Sequence, residues 1–222
     1  MPVEFDLFDA AYNEVLTAPS YSGFRERLTA YNCQKCPRGK ARNHIVLDRG
    51  NPASKILVVS ERPGDKEDAL GQAFVGRSGE LLDKIMASIG LDTNRDLLIV
   101  NVVKCKAEID RAPTAQEAEA CFPYLRRQIE LAQPNVILLL GAVALKHLVK
   151  DRGDEFSMEQ ETGHLFTMAD FPGVHFMVLY HPAFLLRDPT KKPVMWEHVK
   201  KLQAFLDEHG WLPKRQLGKS PA

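Results

Sequence analysis

Four cysteines have the most informative spacing in this chain. Cys33-Gln34-Lys35-Cys36 is a C-x2-C pair, and Cys105 and Cys121 complete a set of four. Two thiolates two residues apart can grip one metal centre, and four of them close either a zinc site or an iron-sulfur cluster. Spacing alone leaves both open. A closed four-thiolate centre has no free coordination position, so its expected work is to fasten the N-terminal segment to the chain around Cys105. Disulfides are disfavoured by the expected compartment, the reducing cytoplasm, because Met1-Pro2-Val3-Glu4-Phe5-Asp6 carries acid where a secretory signal carries Lys or Arg.

A second group of polar residues stands where apolar runs end. Lys55 to Ser60 leads into Glu61, Leu97 to Val103 contains Asn101, and His175 to Tyr180 leads into His181. Any one of the three could be satisfying loop backbone. Together they would meet at one rim of a sheet, where ligands of open α/β sheets bind beyond the carboxyl ends of the strands.

The elements that must position these residues follow from the pattern. The runs named above, with Asn135 to Gly141, are short, apolar and β-branched, as suits strands buried on both faces of a parallel sheet. Helical periodicity fills the intervals at Ser78 to Ile89, Thr114 to Leu131 and Ala142 to Val149, and Thr114 with Glu117 is a capping box. Alternation of strand and helix predicts an α/β fold, a single domain with a central, mostly parallel four-stranded sheet flanked by helices. That domain is expected over 1–210, with helices in 1–32 separated at Pro19-Ser20 and carrying Phe5, Phe8 and Tyr12 on one face. A helix from about Pro193 to Glu208 closes it, and 211–222 reads as a flexible tail.

With 222 residues, 45% of them hydrophobic, the chain can bury a core, and no run approaches the roughly 20 apolar residues of a membrane span. Lys plus Arg and Asp plus Glu each number 29, so a polyanion partner would need a local basic face. One is expected from His181 onward, where Arg187, Lys191, Lys192, Lys200, Lys201, Lys214, Arg215 and Lys219 outnumber the acids, and near the second strand, where Lys104, Lys106 and Arg111 lie. No large apolar self-interface is apparent, so a monomer is expected.

Four ordered segments carry a family likeness: Glu61-Arg62-Pro63-Gly64-Asp65-Lys66-Glu67-Asp68, Gly71-Gln72-Ala73-Phe74-Val75-Gly76-Arg77-Ser78-Gly79, Asn101-Val102-Val103-Lys104-Cys105 and His181-Pro182-Ala183-Phe184-Leu185-Leu186-Arg187. With the four cysteines they resemble the successive motifs of family 4 uracil-DNA glycosylases, over Cys33 to about Lys201. The resemblance implies a uracil-DNA glycosylase-like fold, excision of uracil from DNA, and one structural four-iron four-sulfur cluster on Cys33, Cys36, Cys105 and Cys121. It implies no nucleotide cofactor. The preference for iron-sulfur over zinc comes from the resemblance.

Residue roles follow from what such a reaction needs. The base must leave the helix and be read on its Watson-Crick edge. Asn101 offers one acceptor and one donor to the N3 hydrogen and O4 of uracil, and cytosine presents the reverse. Phe74 would supply the stacking face, and Arg62, Pro63, Gly64 and Asp65 the turn around the base. Departing uracil gathers negative charge, for which His181 is the candidate donor. Water, if a side chain orients it, falls to Glu61, Glu67 or Asp68. Leu185 or Leu186 is the expected apolar wedge, and Arg187 the phosphate contact beside it.

Two segments depart from the family pattern. A small residue is usual at both Ser60 and Arg62, and Arg62, always protonated, cannot act as a base. Ala107-Glu108-Ile109-Asp110-Arg111 replaces the usual Pro-rich, Asn-containing loop and contains no histidine. Two other readings stay open at this stage. One is a slow or non-catalytic binder of damaged DNA in which Arg62 has altered the chemistry, and the other a zinc-stapled interaction module without nucleic acid.

Overall fold

The computed structural model describes residues 9–149 and 156–213. Phe5, Phe8, Lys214, Arg215 and Lys219 lie outside them.

Six strands form one sheet in the order β1-β3-β2-β4-β6-β5, with β1 Arg49–Gly50, β2 Ile56–Ser60, β3 Leu97–Asn101, β4 Val136–Leu140, β5 Leu165–Thr167 and β6 His175–Leu179. The four expected strands are the parallel core, and every residue of β2, β3 and β4 is buried. The expected count of four is corrected to six by β1 and β5, which pair antiparallel at the two edges. Two or three residues are too short to show a period, and Arg49-Gly50 carries no apolar signal.

Alternate residues along each strand enter opposite cores, as the pleat requires. Leu57, Val59, Leu98, Val100, Ile137, Leu139, Phe176 and Val178 face α1 Ala10–Leu16, α2 Tyr21–Tyr31, α6 Ala115–Ala132 and α7 Gly141–Leu148. Ile56, Val58, Leu97, Ile99, Leu138, Met177 and Leu179 face α5 Arg77–Ala87, α9 Pro182–Arg187 and α10 Lys192–Glu208. Short helices α3 Arg38–Ala41, α4 Asp65–Leu70 and α8 Met158–Glu161 complete the set.

Caps explain where the main helices begin. Ser20 accepts from the Gly23 amide at 3.1 Å to start α2. Thr114 and Glu117 form the expected capping box at α6, bonded at 3.2 and 2.9 Å. Where a mobile tail is expected from 211, Trp211 instead turns back, its amide donating to Leu206 at 2.8 Å, and packs with Leu212 against the second core. Among the described residues no helix is long and apolar enough to cross a membrane.

The order of the parallel strands determines where a site can form. From β2 the chain runs through α5 to β3 on one side, then through α6 back past β2 to β4 on the other. The side on which successive strands are added reverses there, leaving a crevice at the carboxyl ends of the parallel strands.

Candidate active site and cysteine centre

The carboxyl ends of β2, β3 and β6 bring three sequence-predicted residues together. Ser60 and Asn101 are partners in the β2–β3 register, which continues past the strand ends through Val102 donating to Ser60 at 2.7 Å and Val103 to Glu61 at 3.2 Å. From β6, His181 reaches back so that its Nε2 lies 2.9 Å from Ser60 Oγ. The imidazole also caps α9, its Nδ1 accepting from the Ala183 amide at 3.0 Å. A ring nitrogen that accepts from a backbone N–H cannot carry a proton, so in neutral His181 the hydrogen is on Nε2. Burial, reinforced by the Arg187 and Arg62 cations, pulls the imidazole pKa down to about 4. Gly141, at φ +84°, leaves room for this ring, since a Cβ there would stand 3.1 Å from His181 Cβ.

Asn101 is 1% exposed, and neither atom of its amide has a hydrogen-bond partner. Leaving both a donor and an acceptor of a buried side chain unpaired costs about 1–3 kcal/mol per group, which a folded protein tolerates at sites reserved for a ligand. Its backbone carbonyl accepts from Lys104 Nζ at 2.6 Å. The strand-end cap that Asn101 could have been is therefore absent from its side chain.

A cleft of about 1090 Å³ opens beside these strand ends, with Glu61, Arg62, Phe74, Gly141, Tyr180 and His181 on its walls. Phe74 adopts φ +54°, a left-handed backbone unusual for a bulky residue, and its ring centre lies 5.8 Å from that of His181. Two features hold it so. Arg49 donates to the Phe74 carbonyl at 2.5 Å, and Gly79 permits the loop to pass, because a Cβ there would lie 1.8 Å from the same oxygen. The ring keeps the core packing that an isolated phenylalanine would suggest, 6% exposed within the second core, and also forms part of the cleft wall.

The three candidate carboxylates separate cleanly. Asp68 is corrected: it is 3% exposed and accepts from Asn43 and His44, at 2.7–3.3 Å, and does not line the cleft. Glu67 lines the cleft but accepts from the Gly64, Val75 and Gly76 amides at 3.2, 2.9 and 2.7 Å, which makes it a bracket between the starts of α4 and α5. Glu61 alone keeps a carboxylate facing the cleft without backbone partners, 3.5 Å from Arg62 Nε. Pro63 is buried in the turn, while Gly64 and Asp65 line the cleft.

Arg62 lines the cleft with its side chain 18% exposed, and pairs with Asp110 from the loop after β3. The two departures from the family pattern thus touch each other. Lys106 binds Asp65 at 2.9 Å across the same gap, and Arg111 binds Glu117 at 2.7 Å. The basic rim expected near the second strand is corrected accordingly, since Lys104, Lys106 and Arg111 are all engaged within the protein. Asp110 was legible only as part of an unusual loop.

On α9, Leu185 is 1% exposed and belongs to the core, which removes it as a wedge, whereas Leu186 is 37% exposed. Arg187 is exposed and lines the cleft. Lys191 and Lys200 pair with Glu159 and Glu197.

All four cysteines line one small cavity, with Lys104 and Tyr124 beside them. Tyr124 donates to Cys33 Sγ at 3.2 Å, and the Lys104 amide to Cys121 Sγ at 3.4 Å. Arg38, two residues after Cys36 and 1% exposed, binds Glu117 at 2.9 Å and the carbonyls of Cys105 and Arg111 at 3.3 Å. Among the described residues, no three His, Cys, Asp or Glu side chains are arranged to hold a single metal ion.

Comparison with known proteins agrees with this geometry. Residues 47–204 match the model of the family described as the Uracil DNA glycosylase superfamily. The type-4 uracil-DNA glycosylase of Thermotoga maritima is 34% identical over 180 residues, 80% of this chain and 91% of that protein. That of Archaeoglobus fulgidus is 36% identical over 173 residues, 77% and 86% of the two chains. A type-5 uracil-DNA glycosylase of Pyrobaculum aerophilum is more distant, 27% identical, covering 73% of this chain and 82% of that one.

Proposed function

Since this chain belongs to the type-4 branch of the uracil DNA glycosylase superfamily, we propose that it excises uracil from DNA by hydrolysing the N-glycosidic bond and leaving an abasic site. The observation that carries the reading is the buried, unpaired amide of Asn101, which is the strand partner of Ser60, itself in contact with a histidine whose free hydrogen is fixed on Nε2. An extruded uracil satisfies that amide, its O4 accepting from Nδ2 and its N3 hydrogen going to Oδ1. Cytosine sets donor against donor and acceptor against acceptor.

Cleavage moves electrons onto the base and leaves positive charge on the sugar. Neutral His181 gives a hydrogen bond from Nε2 to the leaving oxygen as that charge grows, exchanging its ground-state partner Ser60 for the stronger acceptor. Such a donor is worth roughly 3 kcal/mol. With its depressed pKa it acts as a dipole, without carrying a full proton to the base. Phe74 stacks on the uracil. Glu61 faces the sugar, stabilising the cation and orienting the water that attacks C1′, while Glu67 holds the turn in shape. Arg62, paired to Asp110 at the cleft wall, contacts the base. Leu186 fills the vacated place in the duplex, and Arg187 meets a phosphate.

The cysteine site is read as the seat of an iron-sulfur cluster, since all four thiols line one cavity and the type-4 relatives point the same way. Cys33, Cys36, Cys105 and Cys121 would hold the group, and it would cross-link the N-terminal segment to the chain around Cys105. The mechanism gives it no step. The reading extends to a monomer acting in the cytoplasm, where thiols stay reduced.

The test is single-turnover cleavage of a uracil-containing oligonucleotide by the purified protein. An abasic product whose formation outpaces the same oligonucleotide bearing cytosine supports the reading; no product at saturating protein overturns it.

A further inference from the structure

The loop after β3 carries a side chain that the fold does not use. Ile109 is 72% exposed, the most exposed large hydrophobic residue of the described chain. An isolated surface isoleucine needs no explanation on a mobile loop, but this loop is clamped on both sides of it. Before Ile109, Lys106 binds Asp65 at 2.9 Å; after it, Asp110 pairs with Arg62, and Arg111 binds Glu117 at 2.7 Å while its carbonyl accepts from buried Arg38 at 3.3 Å. Asp110, Arg111 and Ala112, the residues that follow, line the cleft. An aliphatic side chain is therefore held out at the cleft's rim by four polar contacts.

The charges nearby indicate what it meets. Glu108 and Asp110 flank it, and the cations of the loop are spent on Asp65 and Glu117, so the tip offers no free cation to a phosphate. Between Glu108 and Asp110 it offers apolar surface. In a duplex, the apolar surface accessible at an extruded nucleotide is the unstacked base step. We propose that Ile109 is a second duplex-inserting side chain, entering the stack beside the emptied base position in addition to Leu186 from α9. This inference rests on the function proposed above and assigns a DNA-contacting role to a residue outside its recognised motifs. Two wedges, one from the loop after β3 and one from α9, share the work of keeping the gap open. Single-stranded DNA, with no opposing strand to close over the gap, has no need of the second.

The experiment compares wild type, Ile109→Ala and Ile109→Leu on uracil in duplex and in single-stranded oligonucleotides, with thermal melting of each protein. Ile109→Ala is expected to lose about tenfold in kcat/KM on the duplex, to keep its single-strand rate and melting temperature, and to recover on the duplex as Ile109→Leu. Insertion is read separately from the emission of 2-aminopurine placed beside a 2′-fluorinated uridine, which resists cleavage. The rise in emission on binding should shrink with Ile109→Ala. An unchanged duplex rate, or equal losses on both substrates, overturns the role of Ile109. A wild type inert on both substrates overturns the function itself, and the emission then still decides whether Ile109 inserts.

Discussion

Ser60 Oγ and His181 Nε2 lie 2.9 Å apart, across 121 residues of sequence. Because the Ala183 amide occupies the other ring nitrogen, this contact marks where the imidazole hydrogen points before substrate arrives.

His181 should therefore titrate far below neutrality. Its pKa in the folded protein is about 4, against about 6.5 for an unperturbed imidazole, so between those values the unfolded chain binds more protons. Stability rises with pH across that window and is lost as pH falls through it, by on the order of 3 kcal/mol from this residue. Excision should be level from pH 6 to 8. His181→Ala should slow single turnover by about 100- to 1,000-fold. Ring-nitrogen NMR across pH 3–8 checks the assignment, and a midpoint near 6.5 would contradict it.

Asn101→Asp should cost far more in rate than in stability. A carboxylate accepts at both oxygens, so it repels O4 where the amide donates, and a loss of about 100-fold or more in single-turnover excision is expected. Melting should fall by less than the rate does, the desolvation of a buried carboxylate being the only cost, since the native amide has no partner to lose. A variant that cleaves as fast as wild type would reduce Asn101 to a structural residue.

Arg62 has its guanidinium against Asp110 and the cleft wall, so it has little to give to a phosphate. Arg62→Ala should lower the single-turnover rate by roughly 10- to 1,000-fold while the salt dependence of DNA binding keeps its slope. A retained rate with a slope flatter by about one counterion would assign it to the backbone instead.

Metal analysis decides the cysteine centre. Protein made with ample iron and little oxygen should be brown and contain iron with acid-labile sulfide. Replacing Cys33 by Ser should loosen residues 105–111 in hydrogen exchange, because Arg38 ties both segments together. Zinc without iron would overturn the assignment.

Much of the fold was legible because its strands are buried on both faces and read as unbroken apolar runs. The strand-end residues Glu61, Asn101 and His181 could be placed at one rim from that alone. What the sequence did not disclose depended on contacts between distant segments. Glu67 as a bracket requires knowing that Val75 and Gly76 return beside Gly64. The choice between Leu185 and Leu186 turns on one step of a six-residue helix, too short for periodicity to settle. Ion pairs such as Arg62–Asp110 join residues 48 positions apart, and charge alone names no partner.

The strand order has a kinetic consequence. Ser60, Asn101 and His181 come from three strands of a parallel sheet, two of which, β2 and β6, meet only through β4. Parallel pairing demands long crossovers and forms slowly. During synthesis the N-terminal half emerges with the asparagine proposed to read the base but without its histidine, so a nascent or truncated chain can neither complete the pocket nor excise uracil. Regain of excision after dilution from denaturant should consequently track the docking of β6 on β4, making catalysis a reporter of the last long-range step of folding.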